Sequence, residues 1–402
     1  FVQDSIRVTG HFALSLGVRY DLQTFSKQGL LTNPLWPDSG KVPFEPYNFA
    51  PRGGFAYSVG KEKPLVVRGG YGLFYTRIPQ IYTSAIATEN GLSDSQVFLN
   101  NTNPAARAVF PQYPNVLVNC APAAVACDLP ANLAQYAESD ISAFSRNFRT
   151  PEVHQANLSL EKQLSERISG SLSYTFVHGQ DLIRARDANL PAPISVSYPL
   201  YDSSGINLLG YSNVDSFSTW QMTRSITCPF PPCINPLARP IPQLGAVDVF
   251  ESAASSVYHG LTVSLRRRMA NGLYFRLGYT WAHAEDDGQD ALVAGSPALV
   301  QNSFSPNSEK GPSATDQRHR LVFSWIFIPR PFGHGQPVLS KLFNDWKLSG
   351  VANYGSGRPV NPEVIGDPNQ DDDSANDRLP GASRNSFVGP DYSTLDMRLG
   401  RQ

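Results

Sequence analysis

Long hydrophobic runs are missing from this chain. No window approaches the ~18 consecutive apolar residues of a transmembrane helix, so a helical membrane protein is excluded. A membrane barrel is not, because it crosses with strands of about ten residues. Charge is scarce too. Only 17% of the 402 residues are charged, below the roughly one quarter of a typical soluble protein. The formal net charge is -1, so no basic field argues for nucleic acid. The chain holds no G-x-S-x-G, no H-E-x-x-H and no cysteine beside a plausible histidine partner. No enzyme is expected. No signal peptide precedes Phe1, and the first residues already read as a strand. The chain is therefore expected to be cut from a longer one.

Cysteine is sparse, at 4 residues, and falls in two close pairs. Cys120 and Cys127 share one loop region; Cys228 and Cys233 close "CPFPPC" in another. Local pairs in Pro-rich loops read as disulfides of an oxidising compartment. A four-cysteine zinc site is the rival, and would need two distant loops to converge.

What the chain does have is glycine (31), proline (33) and 11% aromatic residues, a composition of strands and turns. Period-2 alternation runs throughout. In "HFALSLGVRYD", Phe12, Leu14, Leu16, Val18 and Tyr20 share one face, with Ser15, Arg19 and Asp21 on the other. In "NGLYFRLGYTWAHAED", Leu273, Phe275, Leu277, Tyr279 and Trp281 oppose Tyr274, Arg276 and Thr280. Similar stripes fall at 153–163, 168–178 and 259–268. Less tidy strands are expected at 1–7, 49–59, 64–76, 318–328, 345–355 and 392–400. The stretch "RLVFSWIFI" is apolar on both faces and leaves its facing open.

The connections alternate. "RVTGH", "GKEK", "LSER" and "MANG" are short, whereas 22–48, 77–150, 179–252, 284–316 and 357–391 are long. Long structureless loops are uncommon in compact soluble domains. Short turns at one end and long loops at the other characterise outer-membrane barrels. Strands leaving a short turn end on aromatics, as a girdle at the membrane boundary would require. The fold expected is all-β, an antiparallel transmembrane β-barrel with short periplasmic turns and long extracellular loops. About eleven strands are counted, whereas single-chain bacterial barrels have even numbers. An incomplete barrel is one explanation.

Several stretches carry a family resemblance. "FVQDSIRVTGHFALSLGVRYD", "NFAPRGGFAYSV", "VVRGGYGLFYTR" and "DQRHRLVFSW" resemble the barrel of TonB-dependent outer-membrane receptors. "DRLPGASRNSFVGPDYSTLDMRLGR" looks like the late barrel of the large members that carry a carboxypeptidase-regulatory-like domain. The resemblance implies a 22-stranded barrel, of which 1–402 would be about half, within a single barrel domain. The plug domain and the closing strands would lie outside it, and the energy-coupling box is not seen. It also implies residence in the bacterial outer membrane and uptake of a large or scarce nutrient, whether siderophore, glycan or peptide. The expected partners are outer-membrane lipid and lipopolysaccharide, the plug, the TonB complex and an extracellular ligand. A soluble secreted β-sandwich binding module and a passive porin or adhesin are the alternatives.

Candidate sites are few. In "GDPNQDDDSANDR", Asp367, Asn369, Asp371 and Asp373 alternate as hard oxygen donors that suit calcium. The EF-hand glycine and terminal glutamate are missing, and a solvated loop with Asx turns explains the same residues. Calcium in the 367–377 loop is the one cofactor considered. "DQRHR" reads as local ion pairs at a barrel mouth. Arg19, Arg68, Arg266, Arg276 and Glu161 fall on lumenal faces. His154, His178, His259, His283 and His319 look scattered at strand ends.

Overall fold

The computed structural model describes residues 1–60, 64–93, 96–97, 137–195, 199–211, 218–219, 239–288, 299–330, 338, 342–364, 369, 371, 373, 376–379 and 382–401. The four cysteines and Asp367 lie outside the described residues.

The strands are β1 (Val2–Arg7), β2 (Phe12–Asp21), β3 (Asn48–Val59) and β4 (Leu65–Tyr75). Helix α1 (Gln80–Thr88) and β5 (Ile141–Phe144) follow, then β6 (Glu152–Gln163), β7 (Ile168–Asp187), β8 (Val247–Ala270) and β9 (Leu273–Asp286). The last are β10 (Gly311–Pro312), β11 (His319–Phe327), β12 (Trp346–Gly355) and β13 (Tyr392–Arg401). One antiparallel path runs β1-β2-β3-β4-β6-β7-β8-β9-β11-β12-β13, with β5 beside β8 and β10 beside β9. These eleven path strands are the eleven expected from alternation. The sheet is open: β1 and β13 each have one neighbour on the path.

Register aligns the stripes. Leu277 pairs with Leu265 and Phe323, and Leu158 with Gly69 and Tyr174, so apolar residues continue across strands. No second sheet packs on this face among the described residues. Leu16, Leu158, Leu172 and Val263 are all exposed. A sandwich would bury that stripe, so the soluble alternative fails. The open facing of β11 is settled as well: Leu321, Phe323, Trp325 and Phe327 continue the apolar face, while Val322, Ser324 and Ile326 take the other. Asp4, opposite Leu16, interrupts the stripe on the edge strand; nothing in the structure explains it.

The opposite face is small and polar, with Ser15, Ser159, Ser171, Ser264 and Thr280 among its members. That is the composition of a lumen wall. The "MANG" link is a two-residue turn with Asn271 at φ 52 and Gly272 at φ 73. Positive φ at both central positions gives the type I′ hairpin that matches strand twist. A Cβ on Gly272 would also strike the Ile328 carbonyl.

Three strands exceed the lengths expected. β7 has 20 residues, β8 has 24 and β9 has 14. At ~3.3 Å per residue β8 would span about 80 Å, far beyond the bilayer. Irregularities at Ser252–Ala254 and Ala254–Ser256 break its register with β7 where the overhang begins. The overhang carries the buried core. Helix α1 lays Tyr82 and Ile86, four residues apart, onto Phe144, Phe148, Ala185 and Phe250. A second cluster joins Ile141, Ala143, Leu244, Val247 and Val249. A sequence scan for long helices overlooks the nine residues of α1.

A lipid-facing charge should be costly and a lumenal one tolerated. Leu277→Arg is expected to destabilise the folded barrel by about 2–4 kcal/mol, whereas Thr175→Arg, on the lumenal face opposite Asn157 and Gly260, should change it little. Denaturant titration in detergent micelles, followed by the gel shift on boiling, checks the contrast.

Candidate ligand-binding site

Strand parity places Arg68, Glu161, Arg266 and Arg276 on the lumenal face, as expected. Arg68 reaches Glu161 at 3.5 Å, and both are half exposed, so the pair stabilises little. Arg266 stands directly opposite Arg276 in the β8–β9 register. Neither has a carboxylate partner among the described residues. Like charges directly opposite repel, so two cations face the lumen with Glu161, Ser171 and Ser264 around a 450 Å³ hollow near the short turns. Arg19 pairs instead with Asp21 at 2.7 Å.

A second cavity, of 440 Å³, lies at the mouth beside the long loops. Val177, Tyr258, Ala284 and Asp286 line its barrel side, and Arg77, Pro79 and Tyr82 its loop side. The chain turns here because Pro79 stands at the N-cap of α1 in extended geometry. Burial pushes the Tyr82 hydroxyl up from its ordinary value. The result is an apolar hollow with a few polar groups, the usual form of a small-molecule site. Sequence reading missed it, since its walls come from six segments.

Buried ion pairs lock the loops around this mouth. Glu309, fully buried, takes two hydrogen bonds from the Arg378 guanidinium at 2.6 and 3.0 Å. Asp187 accepts from Arg239 at 2.7 Å and from the Val247 backbone at 3.0 Å. Glu251 takes Arg184 and Arg186 on its two oxygens, each at 3.0 Å. Arg384 bonds Asp286. Lys41 and Arg146 together hold the Asp38 carboxyl below the usual carboxylate range. Asp248 differs from these paired acids. It faces Asp187 across the ladder, and its Oδ1 is enclosed without a hydrogen-bond partner among the described residues. Burial first, then the Asp187 and other nearby carboxylates, push its pKa well up.

Of the four residues considered for calcium, Asn369, Asp371 and Asp373 are described. Asn369 Oδ1 accepts the Asp371 N–H at 3.0 Å, and Asp371 Oδ1 accepts the Asp373 N–H at 3.0 Å. Asp371 Oδ2 also receives the amides of Asn369 and Asn376. These are successive Asx turns. No group of three potential ligands gathers among the described residues. "DQRHR" behaves as the local pairing expected. Asp316 caps the Ala284 N–H at 2.8 Å and lies 3.5 Å from Arg318.

Two outcomes follow from these contacts. Glu309→Ala leaves the Arg378 charge buried and should loosen the loop cap by about 3–5 kcal/mol, read as faster proteolysis of the extracellular loops. Asp248→Asn should act only above the carboxylate range. The folded state holds the Asp248 proton more tightly than the unfolded chain, so its stability is present at acid pH and falls as pH rises. The variant escapes that fall. It should melt a few degrees higher at neutral pH and equally at acid pH.

Comparison with known proteins agrees with this geometry. The family described as "Outer membrane beta barrel domain" matches residues 1–388. No curated protein matches the sequence. Among solved structures, the chain is similar to the siderophore receptor PirA from Acinetobacter baumannii, with 11% identity and a TM-score of 0.46, over 99% of this chain and 38% of that one. It is similar to the pyoverdine outer membrane receptor FpvA from Pseudomonas aeruginosa PAO1, with 11% identity and a TM-score of 0.45, over 98% and 34%. The FrpB iron transporter from Neisseria meningitidis gives 11% and 0.43, over 100% and 37%. The chain thus spans about a third of the length of these structures. With the family matched across 1–388, the chain belongs to the outer-membrane β-barrel domain family and resides in the bacterial outer membrane.

Proposed function

We propose that the chain is barrel wall of a TonB-dependent receptor that takes up a large or scarce nutrient. The carrying observation is the joint presence of a loop-capped mouth cavity and a lumen with uncompensated cations. An extracellular ligand would meet the mouth first, between Tyr82, Arg77 and the β7–β8 overhang. Arg77 gives that hollow a cation and Glu285 and Asp286 give it carboxylates, so a ligand there would be held by a mostly apolar wall with polar groups of both signs. Below it, Arg266 and Arg276 call for anionic groups from something seated in the lumen. A plug domain carrying carboxylates would supply them, and the TonB complex would act on that plug. The edges of β1 and β13 must also be paired, because hydrocarbon offers no hydrogen bonds to an open strand. No part of this reading needs catalysis.

A passive porin is the second reading. The hollow between α1 and the barrel wall disfavours it, since a passive channel needs no such seat for a ligand.

Uptake separates them. A strain lacking the gene should lose growth on one ligand from a panel of ferric siderophores, glycans and peptides, and the restored gene should return it only when the TonB complex is present. Arg77→Ala, at an exposed position outside the core, should weaken ligand binding by about tenfold or more. Ion conductance through the purified protein without any energy-dependent uptake would overturn the receptor reading.

A further inference from the structure

On the apolar face, three tyrosine hydroxyls meet three imidazoles in the same way. Tyr71 bonds His154 Nδ1 at 2.6 Å, Tyr174 bonds His259 Nδ1 at 2.7 Å, and Tyr279 bonds His319 Nδ1 at 2.8 Å. Each tyrosine pairs in register with the residue two beyond its histidine: Ala156, Leu261 and Leu321. The contact therefore runs diagonally and outward, once at each of three successive strand pairs joined by long loops. Tyr354 repeats it with Asp391 Oδ2 at 2.7 Å, two residues before its partner Ser393.

The pairs also share a level. Tyr71 shares its row with Ala156 and Phe176, and Tyr174 lies two residues lower. Tyr174 shares its row with Leu261 and Trp281, and Tyr279 lies two residues lower. The series drops one residue per strand. A step of ~3.3 Å per ~4.8 Å of strand spacing tilts the strands by about 35°, which falls in the 35–45° range of membrane barrels. The tyrosine–histidine line is then parallel to the membrane plane. At the other end, Lys162 and Arg267 are the first lipid-side cations on β6 and β8. Each lies eight residues from its strand's histidine, His154 or His259. Eight residues at that tilt span about 22 Å, close to the ~25 Å apolar band of such barrels.

We propose that this line is the outer membrane boundary, and that its imidazoles bind the phosphate groups of the lipids packed there. With tyrosine donating to Nδ1, each ring carries its hydrogen on Nε2, directed away from the tyrosine. His154 Nε2 has Glu152 at 3.4 Å. His259 and His319 Nε2 have no protein acceptor among the described residues, and His259 is exposed. A lipid phosphate complements them by accepting the N–H, and an exposed anionic phosphate does so more strongly than one screened by choline. This proposal stands apart from the transport reading.

The test uses the full-length protein in nanodiscs of phosphatidylcholine, whose phosphate is screened by choline, with or without phosphatidic acid as the probe with an exposed anionic phosphate. Native mass spectrometry should show several-fold enrichment of phosphatidic acid over its bulk fraction. His259→Gln with His319→Gln should lose that enrichment while keeping the gel shift on boiling. In the wild type, the imidazole ¹⁵N signals should respond to phosphatidic acid and not to inorganic phosphate. The wild-type spectra decide the matter even where the variant does not fold. Bulk-level retention, enrichment that survives the double substitution, or an equal response to free phosphate would overturn the proposal.

Discussion

In hydrocarbon a backbone N–H or C=O has no solvent to turn to, and every other feature here follows from that. It forces the chain into one laddered sheet. It forces alternation, since one face meets lipid and the other encloses polar groups. It confines irregular backbone to the ends, so the helix, the core clusters and the buried ion pairs all gather beyond the Ser252–Ser256 irregularities. Folding into a conventional core is thus displaced to the extracellular overhang, where water again makes apolar burial favourable.

Alternation made the transmembrane part legible. Leu273 to Trp281 declared a lipid face without any knowledge of its neighbours, because a period of two needs only local sequence. Facing at 318–328 was not legible, since "RLVFSWIFI" is apolar on both sides and only the pairing of Phe323 with Leu277 decides it. The overhang was hidden for another reason. Once β7 and β8 leave the bilayer their alternation lapses, and Ala185 and Phe250 are buried by α1 and β5 rather than by lipid. The mouth cavity depends on contacts between segments a hundred or more residues apart. No local pattern encodes those. The histidines are the instructive case: each had the parity of the tyrosine stripe, yet they looked scattered because their common level exists only in the register.

The two ends of the lumen differ in how they handle charge. Near the mouth, Asp248 apart, acids and arginines are matched: Glu309 with Arg378 and Asp187 with Arg239, both buried, and the more open Glu251 with Arg184 and Arg186. Such pairs add more to geometry than to net stability, because desolvation offsets much of their attraction. Near the short turns, Arg266 and Arg276 face one another without an acid between them. A rigid cap above and an unbalanced wall below is an arrangement that holds its loops in place and leaves its interior to be completed.

The Asn271–Gly272 turn bears on assembly as well as on shape. Two residues close the β8–β9 hairpin, so its ladder zips from the turn at little loop-closure cost, even though the finished strands run 24 and 14 residues. Joining β7 to β8 means closing the whole span from 188 to 246 first. The hairpin built on a short turn is therefore the natural kinetic unit, fast within itself and slow to meet the next. A barrel of this kind would grow by docking ready-made ribbons side by side, with the order of docking set by the lengths of its outer loops.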